Sequence, residues 1–155
     1  MGRQNNYGNR DQDNVTVDYE AIIVRGDIDV TVEAAQQIAP LIKKVSSNQM
    51  RGFFTAVRQI QIGWEAIGNE SDPARIIELT RKAEQAYRSI ILMKPRLRYA
   101  AERNRDSLKP LDTYLINCIN HISGETPDKR RARFLNFADF FESLIAFHKA
   151  AGGAR

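Results

Sequence analysis

The chain has 155 residues, a formal net charge of +4 and 43% hydrophobic residues, a composition typical of one soluble globular domain. No apolar run approaches the roughly 20 residues of a membrane span, and the polar start of the chain lacks the apolar stretch of a signal peptide. The single cysteine, Cys118, excludes an internal disulfide and is typical of a reducing compartment. We therefore expect a cytoplasmic protein that does not contact a membrane.

The first thirty residues fall into two parts. Residues 1–14 are almost entirely polar and cannot bury enough apolar surface to offset the entropy of ordering, which predicts a disordered tail. Residues 15–30 contain two short apolar runs, which are compatible with short strands or with a short helix and a turn. We expect a loop with one helical turn here.

From Thr31 onward, apolar residues recur every three or four positions, which is the period of an amphipathic helix. The sequence therefore predicts an all-α fold, a single-domain bundle of about five helices over residues 31–153. The first helix carries Val32 and Ile38 on its apolar face, and Pro40 should kink or shorten it. No segment after residue 30 alternates with period two, which argues against a sheet.

Four further helices follow in the predicted bundle. The third is the longest, because its apolar residues alternate steps of three and four without a break, and Pro95 should bend it. The fourth begins near Ser107 and carries Pro110 in its first turn. The predicted bounds of the second, third and last helices are about 49–67, 73–100 and 127–151.

The last helix is apolar beyond a single stripe. One helix face cannot hold all of its large apolar side chains. The helix is therefore either central in the bundle or packed in part against another subunit. The side chains concerned are the seam residues Phe134, Phe137, Phe141 and Leu144, with Leu135, Phe140, Ile145 and Phe147 added.

Residue types that carry catalysis or bind metals do not cluster in the sequence. His121 and His148 lie on different predicted helices, and Cys118 falls on an apolar face, where free cysteine is usually buried. Zinc sites need clustered Cys and His, and the nine scattered glycines form no phosphate-binding loop. Helices can bring distant carboxylates together, so an acid–base pair stays open. We expect no catalytic residue, no metal and no cofactor.

Positive charge is concentrated between residues 81 and 109, where nine Lys and Arg stand against three Asp and Glu. At about 1.5 Å per residue, the basic row on the third helix spans roughly 33 Å, comparable to several successive nucleic-acid phosphates. It indicates either a phosphate-binding surface or an ordinary solvated basic face. Four arginines, spaced seven, eight and seven residues apart and within roughly 80° at 100° per residue, form this arginine row: Arg81, Arg88, Arg96 and Arg103.

Two smaller basic groups accompany the arginine row. Arg51 and Arg58 stand seven residues apart on the polar side of the second helix. The cluster KRRAR at 129–133 begins the last helix, where positive side chains oppose the helix dipole. This placement indicates either a binding role or a contribution to solubility.

Three segments carry motifs: NQMRGFFTAVRQI at 48–60, ILMKPRLRYAAERN at 91–104 and FLNFADFFESLIAFHKAAGG at 134–153. In order and spacing they resemble the small subunit of type III-A CRISPR effector complexes, in the Csm family. The family pattern reads N-Q-hydrophobic-R before aromatic residues, then L-x-K-P-x-L-x-Y-A-A-x-R, then a final aromatic-His-Lys. Phe147 stands where that pattern favours tyrosine. The resemblance covers roughly residues 31–153, and the first 30 residues match no family.

The resemblance implies a helical, non-catalytic protein of antiviral defence, present in several copies, that lines the groove holding guide and target RNA. Its partners would be guide and target RNA, contacted at the backbone rather than at the bases, the backbone and large subunits of the complex, and copies of itself. Of the candidate RNA-binding residues, Arg51, Lys94 and Arg103 match motif positions. The other candidates depend on charge and geometry: Arg58, Arg96 and Arg98.

An alternative function follows from the same sequence. The chain would be a purely architectural protein–protein adaptor without direct nucleic-acid contact. Its Phe-rich last helix would join neighbouring subunits, and its arginines would meet acidic protein surfaces.

Overall fold

The computed structural model describes residues 15–153, which form an all-α domain with no β-strand among them. Five helices of ten or more residues make up the bundle in this range, which confirms the predicted fold class. The predicted disordered tail, residues 1–14, lies outside the described residues. The elements are a π-helical turn Glu20–Val24, α1 Ile28–Ile38, a 3₁₀ turn Ala39–Ile42, α2 Ser47–Ile62, α3 Pro73–Arg103, the one-turn α4 Arg105–Leu108, α5 Leu111–Asn120 and α6 Pro127–Ala150.

Side-chain caps determine where four of these helices begin. A helix leaves its first N–H groups without intrahelical acceptors, and a capping side chain accepts one of them. At α2 the Ser46 hydroxyl accepts from the Gln49 N–H, and the Gln49 side chain accepts from the Ser46 N–H, a reciprocal capping box. The caps of the other three helices are Asp27 for α1, Asp72 for α3 and Thr126 for α6.

Helix α6 is the centre of the bundle. It packs against the π-helical turn, α1, the 3₁₀ turn, α2, α3 and α5, so most of its apolar surface is covered by this chain. Phe54 of α2 stacks on Phe141 with 5.5 Å between ring centroids, and Trp64 stacks on Phe134 at 5.3 Å. The central position predicted as one of two alternatives is therefore confirmed. Four phenylalanines of α6 are fully buried: Phe134, Phe137, Phe140 and Phe141.

The apolar face of α1 differs from the prediction. Periodicity places Val32 in the core, but its side chain is 38% exposed, and Thr31 is buried instead. Because the Thr31 hydroxyl donates to the Asp27 carbonyl at 2.7 Å, its polar group is satisfied inside the helix and tolerates burial. The Asp27 cap begins the helix at Ile28, three residues earlier than the periodicity suggests.

Two predicted helix boundaries are also wrong. Helix α2 ends at Ile62 rather than near 67, although Trp64 beyond its end is still buried. No single helix runs from Ser107 through Pro110, because α4 ends at Leu108, a cis Lys109–Pro110 bond follows, and α5 begins at Leu111. Proline lacks an N–H and restricts the residue before it, so Pro110 precedes the helix instead of lying within it.

The basic cluster at 129–133 anchors the segments that follow α2 and α5. Arg130 donates to the Gly124 carbonyl at 2.9 Å, and Arg131 donates to the Trp64 carbonyl at 2.9 Å. Arg133 donates to the Ser123 carbonyl. These carbonyls lie near the ends of α2 and α5, so the cluster has a structural use despite its unfavourable position on the helix dipole.

Asp128, in the first turn of α6, holds the loop after α2. Its two carboxylate oxygens accept from the Ile67 N–H at 2.8 Å and from the Gly68 N–H at 2.9 Å. Hydrogen bonds to a charged acceptor contribute more than neutral ones, and a carboxylate also interacts favourably with the helix N-terminus. A single side chain therefore joins two elements that are sixty residues apart in the chain.

We predict that Asp128→Ala lowers the free energy of unfolding by about 2 kcal/mol, because both loop N–H groups lose their acceptor. Urea denaturation at neutral pH measures the change. The matched control is Glu125→Ala, since Glu125 is 89% exposed and makes one ion pair at 3.5 Å; its effect should stay within about 0.5 kcal/mol. Equal effects of the two substitutions would contradict the anchoring role of Asp128.

Candidate nucleic-acid interface

Helix α3 has one side buried in the bundle and the opposite side exposed to solvent. Seven residues on one side are buried, and at 100° per residue they fall within roughly 80° of one another. The arginine row lies on the opposite side, and all four of its arginines are exposed. The helix continues through Pro95, so the row stays on one element. The buried residues are Leu79, Ala83, Ala86, Ile90, Met93, Leu97 and Ala101.

Carboxylates neutralise the basic residues that lie beside the arginine row. Lys82 reaches Glu65 at 3.6 Å and Glu78 at 3.7 Å. Arg105 and Lys109 both bind Glu102, and Lys109 does so at 2.9 Å. These pairs neutralise part of the positive charge on the flanks of α3.

The arginine row itself has no acidic partner. Within residues 15–153, none of the ion pairs involves one of its four arginines. Arg81 donates to the neutral Gln85 side chain at 3.2 Å, and the Arg103 guanidinium lies 5.7 Å from the centre of the Tyr99 ring. The fold thus directs four unpaired positive charges to one side of one helix.

Large apolar side chains stand among these arginines, which sequence reasoning missed. Ile77 is 70% exposed, Leu92 is 42% exposed and Tyr99 is 64% exposed. At 100° per residue, these three and the arginine row fall within roughly 100°. The sequence could have shown this, because Ile77, Leu92 and Tyr99 do not follow the three- and four-residue spacing of the buried residues. The open face of α3, defined by these seven residues, therefore alternates charge with apolar surface.

The other candidate residues have different surroundings. Lys94 donates to the Asn120 side chain at 2.9 Å and keeps its charge without an acidic partner. Arg58 donates to Gln61 at 2.9 Å, lies 3.4 Å from a carboxylate oxygen of Glu142 and covers the Phe54 ring at 4.8 Å. These contacts give Arg58 a role within the fold, and RNA binding by this residue stays a prediction.

Arg98 forms an ion pair with a buried carboxylate. It donates to Asp112 at 2.9 Å, and the Asp112 side chain is 1% exposed. The second oxygen of Asp112 has no hydrogen-bond partner in the described part of the chain. Arg98 is therefore the cation that compensates a buried charge, and its contact with RNA stays a prediction.

Arg51 lies apart from the open face of α3, in a groove where α2 begins and α6 ends. The groove has a volume of about 450 Å³, and none of its lining residues is acidic. The end of α6 is fixed there because His148 is buried and hydrogen-bonds the Val45 carbonyl at 2.8 Å. The lining residues are Ser47, Asn48, Arg51, Lys149 and Gly153.

Residues that could carry catalysis or bind a metal are separated or buried. Cys118 is fully buried, and burial raises the pKa of its thiol, so it stays protonated. Within residues 15–153, no group of three His, Cys, Asp or Glu is close enough to hold a metal ion. In that same range no helix combines the length and the apolar character needed to cross a bilayer.

A protein-family model, described as Csm2 Type III-A, matches residues 25–154. The chain belongs to this family. Csm2 is the small subunit of type III-A CRISPR complexes, which confirms the resemblance drawn from the three motif segments. The match includes every candidate residue and begins before residue 31, where the motif resemblance begins. No match is found among curated proteins or among solved structures.

We predict that Arg98→Met lowers the free energy of unfolding by about 2 kcal/mol, because it leaves the Asp112 carboxylate buried without a cation. The control is Arg96→Met, two residues away on the same helix, which should change stability by less than about 0.5 kcal/mol. Chemical denaturation of both variants gives the comparison. A loss at Arg96 as large as that at Arg98 would show that the ion pair is not the cause.

We predict that Lys109→Met raises the pKa of Glu102, measured by NMR titration of its carboxyl carbon. The hydrogen bond from Lys109, followed in size by the one from Arg105, lowers the pKa of Glu102 from 4.5 to about 2. Because the folded pKa is depressed, ionised Glu102 stabilises the fold above about pH 4.5, and this contribution is lost as the pH falls toward about 2. An unchanged Glu102 pKa in Lys109→Met would contradict the assigned cause.

Proposed function

We propose that this type III-A small subunit binds the RNA backbone through the arginine row on the open face of α3. The observation that carries the proposal is that four exposed arginines share one side of the helix, while their basic neighbours other than Lys94 are paired with carboxylates. Phosphate oxygens are the ligands that guanidinium groups bind best, through paired hydrogen bonds and charge. A surface of this kind supports binding that is nearly independent of base sequence.

Arg96 and Arg103 are the main proposed RNA ligands. Both are exposed, both follow Pro95, and neither forms an ion pair within residues 15–153. Lys94 keeps an unneutralised charge beside them, and Arg51 supplies a second positive region in the groove at the start of α2. Arg58 and Arg98 belong to the proposal with less support, because each already binds a carboxylate of this chain.

The wider role proposed for the chain follows from its family. As a small subunit of the complex, it would act without catalysis in antiviral defence in the cytoplasm, lining the groove that holds guide and target RNA. The backbone and large subunits and further copies of this chain would be its protein partners. The scattered positions of His121, His148 and Cys118 support a non-catalytic role.

The architectural alternative depends on the Phe-rich last helix. In the fold, four phenylalanines of α6 are fully buried inside this chain, so they do not provide a surface for a neighbouring subunit. Glu84 lies beside Arg81 and Arg88, but within residues 15–153 the arginine row forms no ion pair with an acidic residue of this chain. Direct RNA contact therefore accounts for more of the surface than a purely protein–protein role.

We predict that the double substitution Arg96→Gln and Arg103→Gln weakens binding of target RNA and flattens its salt dependence. Each phosphate of a single strand that a cation no longer neutralises reduces the log–log salt slope by about 0.7, so two such phosphates reduce it by about 1.4. The measurement is a filter-binding titration, at several salt concentrations, of the effector complex reconstituted with the variant subunit.

The matched control for this experiment is Arg75→Gln with Arg105→Gln. These arginines lie on or beside α3, and replacing them removes as much positive charge as the Arg96 and Arg103 substitutions do. Each is paired with at least one carboxylate in the fold. We expect the control complex to keep the wild-type slope. The proposal fails if the control flattens the slope as much as the Arg96 and Arg103 pair does, or if neither pair changes it.

A further inference from the structure

Tyr99 is a large aromatic residue whose side chain is not part of the core. In the motif around it, Leu97 and Ala101 are buried in the seam of α3, whereas Tyr99 points away from the core and is 64% exposed. Its hydroxyl makes no hydrogen bond within the described residues, and the only group stacked over its ring in that range is the Arg103 guanidinium. Packing inside this chain therefore does not explain an aromatic residue at this position.

Tyr99 lies between two arginines of the row. Arg96 precedes it by three residues and Arg103 follows it by four, which corresponds to rises of about 4.5 Å and about 6 Å along the helix. Both arginines lie on the same side of α3 as the ring. All three residues follow Pro95, so a bend at the proline leaves their relative positions unchanged. The aromatic face is thus flanked at each end by a positive charge.

We infer that Tyr99 is a stacking platform for an unpaired RNA base, with Arg96 and Arg103 holding the phosphates on either side of that nucleotide. The inference rests on the proposed function and narrows its ligand from RNA backbone in general to single-stranded ribonucleotides. Proteins that bind single strands combine a positive surface with exposed aromatic rings on which bases stack. The open face of α3 has both components within two helical turns.

The ligand class follows from which bases can reach the ring. Bases inside a duplex are covered on both faces by their neighbours, so an aromatic side chain on a convex helix reaches only a base that is splayed out of the stack. Stacking accepts any of the four bases, because each has a π-face. The Arg103 guanidinium, which lies over the ring at 5.7 Å from its centre, adds a cation to the same site.

The experiment uses the reconstituted effector complex with wild-type subunit, Tyr99→Leu or Tyr99→Phe, and target RNAs that carry 2-aminopurine at successive positions. Stacking on an aromatic ring quenches 2-aminopurine fluorescence. We expect Tyr99→Leu to weaken binding about tenfold, to abolish the quench and to leave the salt slope unchanged, because stacking releases no counterions. Tyr99→Phe keeps the ring and should retain both the affinity and the quench.

Three results would overturn the inference. Wild-type affinity and quenching in Tyr99→Leu would show that no base stacks there, and a loss in Tyr99→Phe equal to that in Tyr99→Leu would assign the contact to the hydroxyl. If the Tyr99→Leu subunit did not assemble into the complex in the absence of target RNA, the ring would be assigned to a contact with another subunit. If the Arg96 and Arg103 variants flatten the slope while Tyr99→Leu has no effect, the proposed function stands and only this inference fails.

Discussion

The burial of one side of α3 is the constraint on which the proposed interface depends. Seven residues of the helix enter the core, and the rotation of 100° per residue then directs everything half a turn away toward solvent. Small residues such as Ala83, Ala86 and Ala101 let the helix lie close to its neighbours. Because the helix is continuous over 31 residues, the packing of one side orients the whole open face.

Basic residues of this helix differ in their pairing according to the side on which they lie. Basic residues at the edge of the buried side, Lys94 excepted, form ion pairs with carboxylates from α3 itself, from α5 or from neighbouring segments. Within residues 15–153, the arginines at the centre of the open face form no ion pair with those carboxylates. A basic composition alone would not distinguish these two groups, and the net charge of +4 understates how uneven the surface is.

Helical periodicity predicted the all-α fold and gave the central position of α6 as one of two alternatives, because both depend on apolar spacing within one segment. It also predicted the side of α3 on which the arginine row lies. It did not predict that Arg98 would find Asp112, since the partners lie on different helices and meet only through the packing of α3 against α5. The exposure of Val32 and the break at Pro110 likewise depend on a cap and on a turn that periodicity does not describe.

A structure of the assembled complex with target RNA bound would test the central claim most directly. The account predicts phosphate oxygens within hydrogen-bonding distance of the guanidinium groups of Arg96 and Arg103, along the side of α3 that faces away from the bundle. It would be contradicted if that side faced bulk solvent or a protein surface while the RNA passed elsewhere on the subunit.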